Sequence, residues 1–342
     1  MKSRLFKYIF CLFSISVIIY LYLHNHQPYM EMSGETMNTF YNIRIRTNRE
    51  NNLLHNAIKE KLKQINQEMS VFELSSEINH INNDTTGAWL ELSPEMAEIM
   101  HQTYNIYHKS NGAFDPTIAP LIDLWGFGPS YRNQRIPEQA AIKETLKTTG
   151  FSNLQFSKNF HLLKKKHPEI KMNLSALAKG YAVEKIYELI KNIGYQHFVI
   201  EIGGEVKASG NRKIGDKGWN IAVVEPLSQN YDNNYVVKLK NMAVATSGDY
   251  RNFFYHKDKK YAHTISPYSG YPVEHNLASA TVFHKNCTYA DAYATALMVM
   301  GPKKGIQFAN KNNLAVILYE RNEDDTTKAL ISREAQKLLR NE

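Results

Sequence analysis

The chain has 342 residues, 43% hydrophobic and 22% charged, which excludes a disordered chain and leaves room for one large folded unit or two ordinary ones. Its net charge of +8 would suit nucleic acid or a membrane surface. No dense basic block appears beyond Lys164-Lys165-Lys166, which reads as a solvated turn, so nucleic acid is not expected as a partner. The two cysteines, Cys11 and Cys287, are too far apart in sequence to suggest a disulfide or a cysteine zinc site.

Lys2, Arg4 and Lys7 precede or edge an uncharged run from Tyr8 to Leu23. A positive flank before an apolar segment is the pattern of an export signal, and the run approaches the roughly 20 residues that span a bilayer. No A-x-A-like cleavage site follows, and Tyr8-Ile9-Phe10 makes a poor lipoprotein box before Cys11. Residues 1–26 are therefore read as a signal anchor, with a cleaved signal peptide as the alternative. The positive-inside rule then puts the body outside the cytoplasm. Residues 27–35 read as a polar linker, and residues 36–342 as the folded body.

Thr36 to Ile45 alternates like a half-buried strand. Residues 52–69 carry apolar positions at helical period, and Ser75-Ser76-Glu77 begins a new turn. Ser93-Pro94-Glu95 opens a helix with a cap, a first-turn proline and an acid, and Asn111-Gly112 stops it. Residues 112–129, GAFDPTIAPLIDLWGFGP, are too punctuated by Gly and Pro for a regular element. Such a long apolar loop is expected to cover something flat. A helix follows at 137–150, then strands at 153–163 and 169–173 around the basic turn. Asn173-Leu174-Ser175 caps a long helix that Gly194 ends, and its first turns are small: Ser175, Ala176, Ala178, Gly180, Ala182. Small residues let a ligand approach a helix N-terminus, which favours phosphate.

A β-rich run, 197–202, ends in Gly203-Gly204-Glu205; strands are also expected at 219–224, 235–239 and 314–319. Thr246-Ser247-Gly248 ends another strand, His263 precedes the turn Ser266–Gly270, and Asp291 and Thr295 stand one helical turn apart. A carboxylate and a hydroxyl at i and i+4 share a helix face and can reach one hard cation such as Mg2+. Asp291 could equally cap its helix, and His263 could be structural. Neither G-x-G-x-x-G nor a P-loop is present. Together the pieces suit a dinucleotide with a planar head and a pyrophosphate.

With these motifs in hand, the sequence closely resembles the FAD:protein FMN transferases of the ApbE family. The resemblance runs from about Thr36 to Leu318 and rests on TMNTF, MSVFELSSEINHIN, GAFDPTIAPLIDLWGFGP, LSALAKGYAVEK, IEIGGEVKASG, TSGDYRNFF, HTISPYSGYPVEHN and DAYATALMVMG. It implies a mixed α/β (α+β) fold: one large catalytic domain of the ApbE type behind the N-terminal membrane segment. It implies Mg2+-dependent transfer of FMN from FAD to a threonine hydroxyl of a partner protein, with release of AMP. The partners implied are extracytoplasmic subunits of the Na+-translocating NADH:quinone reductase or its Rnf relatives. With the anchor, this places the catalytic domain in the periplasm, on the bacterial inner membrane.

Carried over residue by residue, the metal would be held by Asp291, Thr295 and the carbonyl of Ala182. FAD would be contacted by Met37, Phe72, Ala113, Phe114, Asp115, Lys179, Lys185 and Ile265. His263 matches the active-site histidine. Four positions depart from the pattern: Phe72 where Tyr is frequent, Asn173 where Asp is usual before L-S, Ser266 where Asp is usual before Pro, and Ala294 where some members have a second carboxylate and many have alanine. An FAD pyrophosphatase would use the same site with water as acceptor. A passive flavin binder would need neither Asp291 nor His263.

Overall fold

Strands β1 (Tyr29–Thr36) and β2 (Thr39–Arg46) form an antiparallel hairpin. The computed structural model describes residues 28–128, 136–226, 235–249, 253–257, 259–324 and 326–340. The hairpin corrects two expectations: residues 29–35 belong to β1 and not to a linker, and 36–45 is not one strand. Met30 and Met32 are buried while Glu31 and Ser33 face solvent, so the alternation begins earlier than the polar composition suggested. Met37 and Asn38 take φ of 50° and 55°, the type I′ geometry whose twist suits a hairpin. Asn tolerates that conformation; Met rarely adopts it.

Helix α1 (Asn52–Met69) is capped by the Asn51 side chain, which accepts from the Leu54 N–H, and it buries Leu54, Ile58, Leu62, Ile65 and Met69. Ser76 caps the short α2 (Glu77–Asn83), and Ser93 caps α3 (Pro94–Lys109). Strands β3 (Leu90–Glu91), β4 (Leu154–Phe156) and β5 (Leu162–Lys165) make a small sheet. The expected strand at 169–173 is reduced to one bridge between Lys171 and Ile118. The basic run is not a solvated turn either: Lys165 is buried, its ammonium donating to the carbonyls of Asn82, Pro168 and Ile170. Three carbonyls replace the water that burial removes.

Short helices α4 (Ala119–Leu124) and α5 (Gln139–Lys147) precede the long α6 (Ser175–Asn192). Strands β6 (Phe198–Ile202) and β7 (Glu205–Ser209) turn at Gly203-Gly204; then come β8 (Trp219–Val223), β9 (Tyr235–Leu239), β10 (Met242–Gly248), β11 (Phe253–His256), β12 (Lys259–Ala262) and β13 (Leu277–His284). Helix α7 (Cys287–Lys311) breaks at Gly301, where φ is 76° before Pro302. Strands β14 (Ala315–Arg321) and β15 (Thr327–Ile331) and helix α8 (Arg333–Arg340) follow.

The main sheet has eight strands in the order β1-β2-β6-β7-β10-β13-β14-β15, paired antiparallel throughout. The mixed fold is therefore of the α+β kind. Both faces of the sheet are covered, so β13 is buried along nearly its whole length. On one face Ala243, Ala245, Ala280, Val282, Val316 and Leu318 pack into the core with α6 and α7. On the other, Val244, Phe283, Ile317 and Tyr319 pack against Trp219, Val237 and Leu239 of the β8–β9 hairpin and Ala335 of α8. The period of two along each strand assigns every residue its face. Each large side chain so buried stabilises by roughly 1.5–3 kcal/mol.

The register decides where the site lies. Tyr41 pairs with Ile202, Val206 with Val244, Gly248 with Ser279 and Leu277 with Glu320. The Met37-Asn38 turn, the Gly203-Gly204 turn and the end of β10 therefore gather at one end of the sheet. The expected membrane segment, 1–26, lies outside the described residues. Among those described, no helix is long and apolar enough to cross a membrane.

Candidate active site

Helices α6 and α7 cross closely because residue 180 is glycine. A Cβ there would stand 2.4 Å from the Cys287 carbonyl oxygen and 2.8 Å from the Asp291 Cβ. That contact brings the Gly180 N–H to Asp291 Oδ2 at 2.9 Å. Asn286 starts α7 by accepting from the Tyr289 N–H, and the Glu184 carboxylate accepts from the Cys287 N–H at 2.8 Å. Glu184 is itself held by the Lys207 ammonium of β7. Sheet and helices thus fix the first turns of α7, and with them Asp291 and Thr295.

The other carboxylate at this point is Glu205, the first residue of β7. The Lys179 ammonium lies 2.8 Å from Glu205 Oε1 and 3.8 Å from Asp291 Oδ1. The two carboxylates are 2% and 4% exposed, whereas the lysine side chain is 31% exposed. Glu205 Oε2 is buried with no hydrogen-bond partner. Burial and the neighbouring Asp291 push the Glu205 carboxyl up to about 8. Burial raises Asp291 as well, with Lys179 and the Gly180 N–H opposing it. Burial alone would lower the Lys179 ammonium; Asp291 and Glu205 hold it above the usual lysine range instead. Two buried carboxylates thus share one ammonium, and the cluster is short of positive charge whenever both are ionised. Ser247, on the same sheet face as Ala245, puts its Oγ 3.3 Å from Thr295 Oγ1.

A second group forms around the 112–129 loop. Its aromatics are not a free lid: Trp125 is fully buried, and its Nε1–H donates to the Gly270 carbonyl at 2.8 Å. Trp125 packs on Tyr261 and Tyr271, and Phe127 on Phe254, in one cluster with Ile265. The Phe127 ring meets His263 edge-on, with centroids 6.4 Å apart. The loop therefore braces the β11–β12 hairpin and the turn after His263, and it contains the helix α4 that its Gly and Pro content concealed.

The expected site residues divide accordingly. Lys179, Asp291 and Thr295 come together, joined by Gly180, Glu205 and Ser247, which the sequence reading had not made site residues. Glu205 carried one signal, an acid directly after a Gly-Gly turn. Ala182 is buried inside α6, so its carbonyl already accepts in the helix ladder and offers an ion only its second lone pair. Met37 lies on the hairpin turn at the same end of the sheet. A Cβ on Gly203 would meet Thr39 Cγ2 at 2.9 Å and Lys179 Cδ at 3.1 Å, which ties that hairpin to the cluster. Phe72 is 60% exposed. Ala113 and Phe114 are buried in the main core. The Asp115 carboxylate is occupied by the Thr117 N–H and hydroxyl at 2.8 and 2.5 Å and by the Phe151 N–H at 3.1 Å. Lys185 is held by Glu98 at 2.6 Å and Glu188 at 3.1 Å. Asn173 accepts from the Ser175 N–H at 2.9 Å, while Leu174 takes the cap position of α6.

The donor set can be tested for a hard divalent cation. Among the described residues, no group of three or more His, Cys, Asp or Glu is placed to hold a metal ion. The set here is of another kind: one buried carboxylate with a neighbouring hydroxyl, a second carboxylate with an unsatisfied oxygen, and a deficit of positive charge. Oxygen donors of this sort suit Mg2+ or Mn2+, and the residues fit.

This fold is also found in solved structures. A model described as the ApbE family matches residues 37–318. The chain belongs to the ApbE family. A Haemophilus influenzae protein named FAD:protein FMN transferase is 34% identical over 303 residues, covering 86% of this chain and 87% of its own. The solved apo structure of the Pseudomonas stutzeri flavinyl transferase ApbE superposes with a TM-score of 0.84 at 31% identity, covering 92% of this chain and 97% of that one. The Vibrio cholerae flavin transferase ApbE gives a TM-score of 0.84 at 29% identity, over 92% of this chain and all of that one.

Proposed function

We propose that the protein transfers FMN from FAD to a hydroxyl of an acceptor protein and releases AMP. The observation that carries this reading is the buried Asp291–Glu205–Lys179 cluster at the sheet end, in a chain of the ApbE family. The acceptor oxygen forms a bond to the FMN-side phosphorus, and the bond from that phosphorus to the oxygen bridging it to AMP breaks. The hydroxyl proton goes to a base, and AMP leaves with the bridging oxygen. Asp291, Thr295 and the Ala182 carbonyl would hold Mg2+, which supplies charge to offset that on the phosphate oxygens.

The chain's own residues do the rest. Gly180 fixes the Asp291 carboxylate by its N–H. The ammonium of Lys179, once released from Glu205, can pair with a phosphate oxygen. Met37 and Phe72 supply apolar surface for the flavin. His263, set by the Phe127 and Trp125 cluster, takes the proton from the attacking hydroxyl. Holding the hydroxyl and phosphorus in line supplies much of the rate.

The finer terms of the proposal are a threonine acceptor, redox-complex subunits of the Na+-translocating NADH:quinone reductase or Rnf type as partners, and a periplasmic site of action behind an inner-membrane anchor. They follow from the family resemblance and from the charge pattern of residues 1–26.

The test is AMP release from FAD by the full-length protein in Mg2+, with and without an acceptor domain. Release that depends on the acceptor supports transfer. Equal release without it would replace transfer by pyrophosphatase action. No release, with FAD still bound, would leave only a binder.

A further inference from the structure

The Lys179 ammonium holds the position of a cation. It lies against Glu205 Oε1 at 2.8 Å and within 3.8 Å of Asp291 Oδ1, and both carboxylates are almost wholly buried. Buried carboxylates without a counter-charge are costly, so something positive must stand there whenever the divalent ion does not. Lysine suits that role better than arginine: it is a compact charge on a flexible stem, without a planar fork to lock it in place.

The geometry leaves an exit. The lysine is the exposed member of the three, and it sits near the start of α6 beside a turn whose Gly203 lets its stem pass. Asp291, by contrast, cannot follow it, since Oδ2 is tied to the Gly180 N–H. Glu205 Oε2 stands buried without a partner, so the monovalent ammonium leaves the pair incompletely served.

We propose that Lys179 is a placeholder cation: its ammonium neutralises the Asp291–Glu205 pair in the metal-free protein and must be displaced when the divalent ion binds. This rests on reading Asp291 and Thr295 as the cation site. Two like charges cannot share the pair at this distance without strong repulsion. The lysine therefore weakens metal binding in exchange for a site that stays folded and neutralised without metal.

The experiment is Mn2+ titration of the FAD-free, full-length protein by electron paramagnetic resonance, for wild type, Lys179→Met, Lys179→Gln and Asp291→Asn. Removing the ammonium should tighten Mn2+ binding at least tenfold. The Gln variant provides the same test if the Met variant fails to fold, because its amide can still hydrogen-bond Glu205. Binding lost in Asp291→Asn but unchanged or weakened in both lysine variants would overturn the placeholder and leave the metal site standing. Mn2+ binding absent from wild type and lysine variants alike, or unaffected by Asp291→Asn, would overturn both. Binding that appears only once the lysine is removed would be the strongest form of the expected result.

Discussion

Gly180→Ala tests the geometry of the site with a single methyl group. Its Cβ would stand 2.4 Å from the Cys287 carbonyl oxygen, against ordinary contacts that begin at 3.4 Å. The partner is backbone, so α6 and α7 must separate by about 1 Å to admit it. Overpacking of this kind costs about 1–3 kcal/mol. Losing the N–H bond to a buried carboxylate adds about 1.5–3 kcal/mol, and the better helix propensity of alanine returns about 1 kcal/mol. A net loss of about 1.5–5 kcal/mol is expected in urea or guanidinium unfolding. A displacement of about 1 Å at the reacting centre also costs on the order of 100-fold in rate, so FMN transfer should fall by at least that much in protein that is still folded. Gly305→Ala is the control, on the partner helix α7. Its Cβ would meet the Leu297 and Leu318 side-chain ends at 3.3 Å and the Leu297 carbonyl oxygen at an ordinary 3.8 Å, and its activity should stay within about threefold of wild type. Wild-type stability and rate in Gly180→Ala would refute the argument that Asp291 is positioned by this crossing.

Three further outcomes are expected. Asp291→Asn keeps the volume but loses the charge, so transfer should fall at least about 100-fold, several kcal/mol of charge stabilisation being lost; a progress curve with saturating Mg2+ checks this. Trp125→Phe leaves the Gly270 carbonyl without its buried donor, which should cost about 1–3 kcal/mol in unfolding and lower transfer through the His263 turn; a variant with unchanged stability would contradict the bracing role of the loop. Glu68 is buried beside Glu95, and burial followed by that charge raises its carboxyl from 4.5 to about 7. A raised carboxyl binds its proton more tightly in the native state. Its contribution is therefore fully present below pH 4.5 and is lost as pH rises through 7, by up to about 3 kcal/mol. Glu68→Gln should thus gain stability relative to wild type between pH 5 and pH 8 in paired urea melts, and a difference independent of pH would sink this reading.

Much of the fold was legible because its signals are local. Asn51, Ser76 and Ser93 mark helix starts as cap residues do, and the stripe from Leu54 to Met69 has helical period. Strands buried on both faces, such as β13, gave weaker signals, since near-continuous apolar runs carry no alternation. The Met37-Asn38 turn was missed because neither residue is the glycine that positive φ usually selects. Lys165 was misread because its burial depends on the chain folding back at Pro168 and Ile170 and on the Asn82 carbonyl brought in from α2, none of which a basic run displays. In the site, the i and i+4 pair of Asp291 and Thr295 was readable from spacing alone. Glu205 was not: its meeting with Lys179 depends on the Gly203-Gly204 turn and on β7 lying under α6, which is long-range packing. Gly180 stood in view as one small residue among several, and only the helix crossing distinguishes it.

The central claim is tested most directly by intact mass spectrometry of an acceptor domain incubated with the protein, FAD and Mg2+. A gain of one FMN bound through phosphate, lost on mutation of a single acceptor threonine, in EDTA and in Asp291→Asn, is the predicted result. An acceptor of unchanged mass while FAD is still cleaved to FMN and AMP would contradict it.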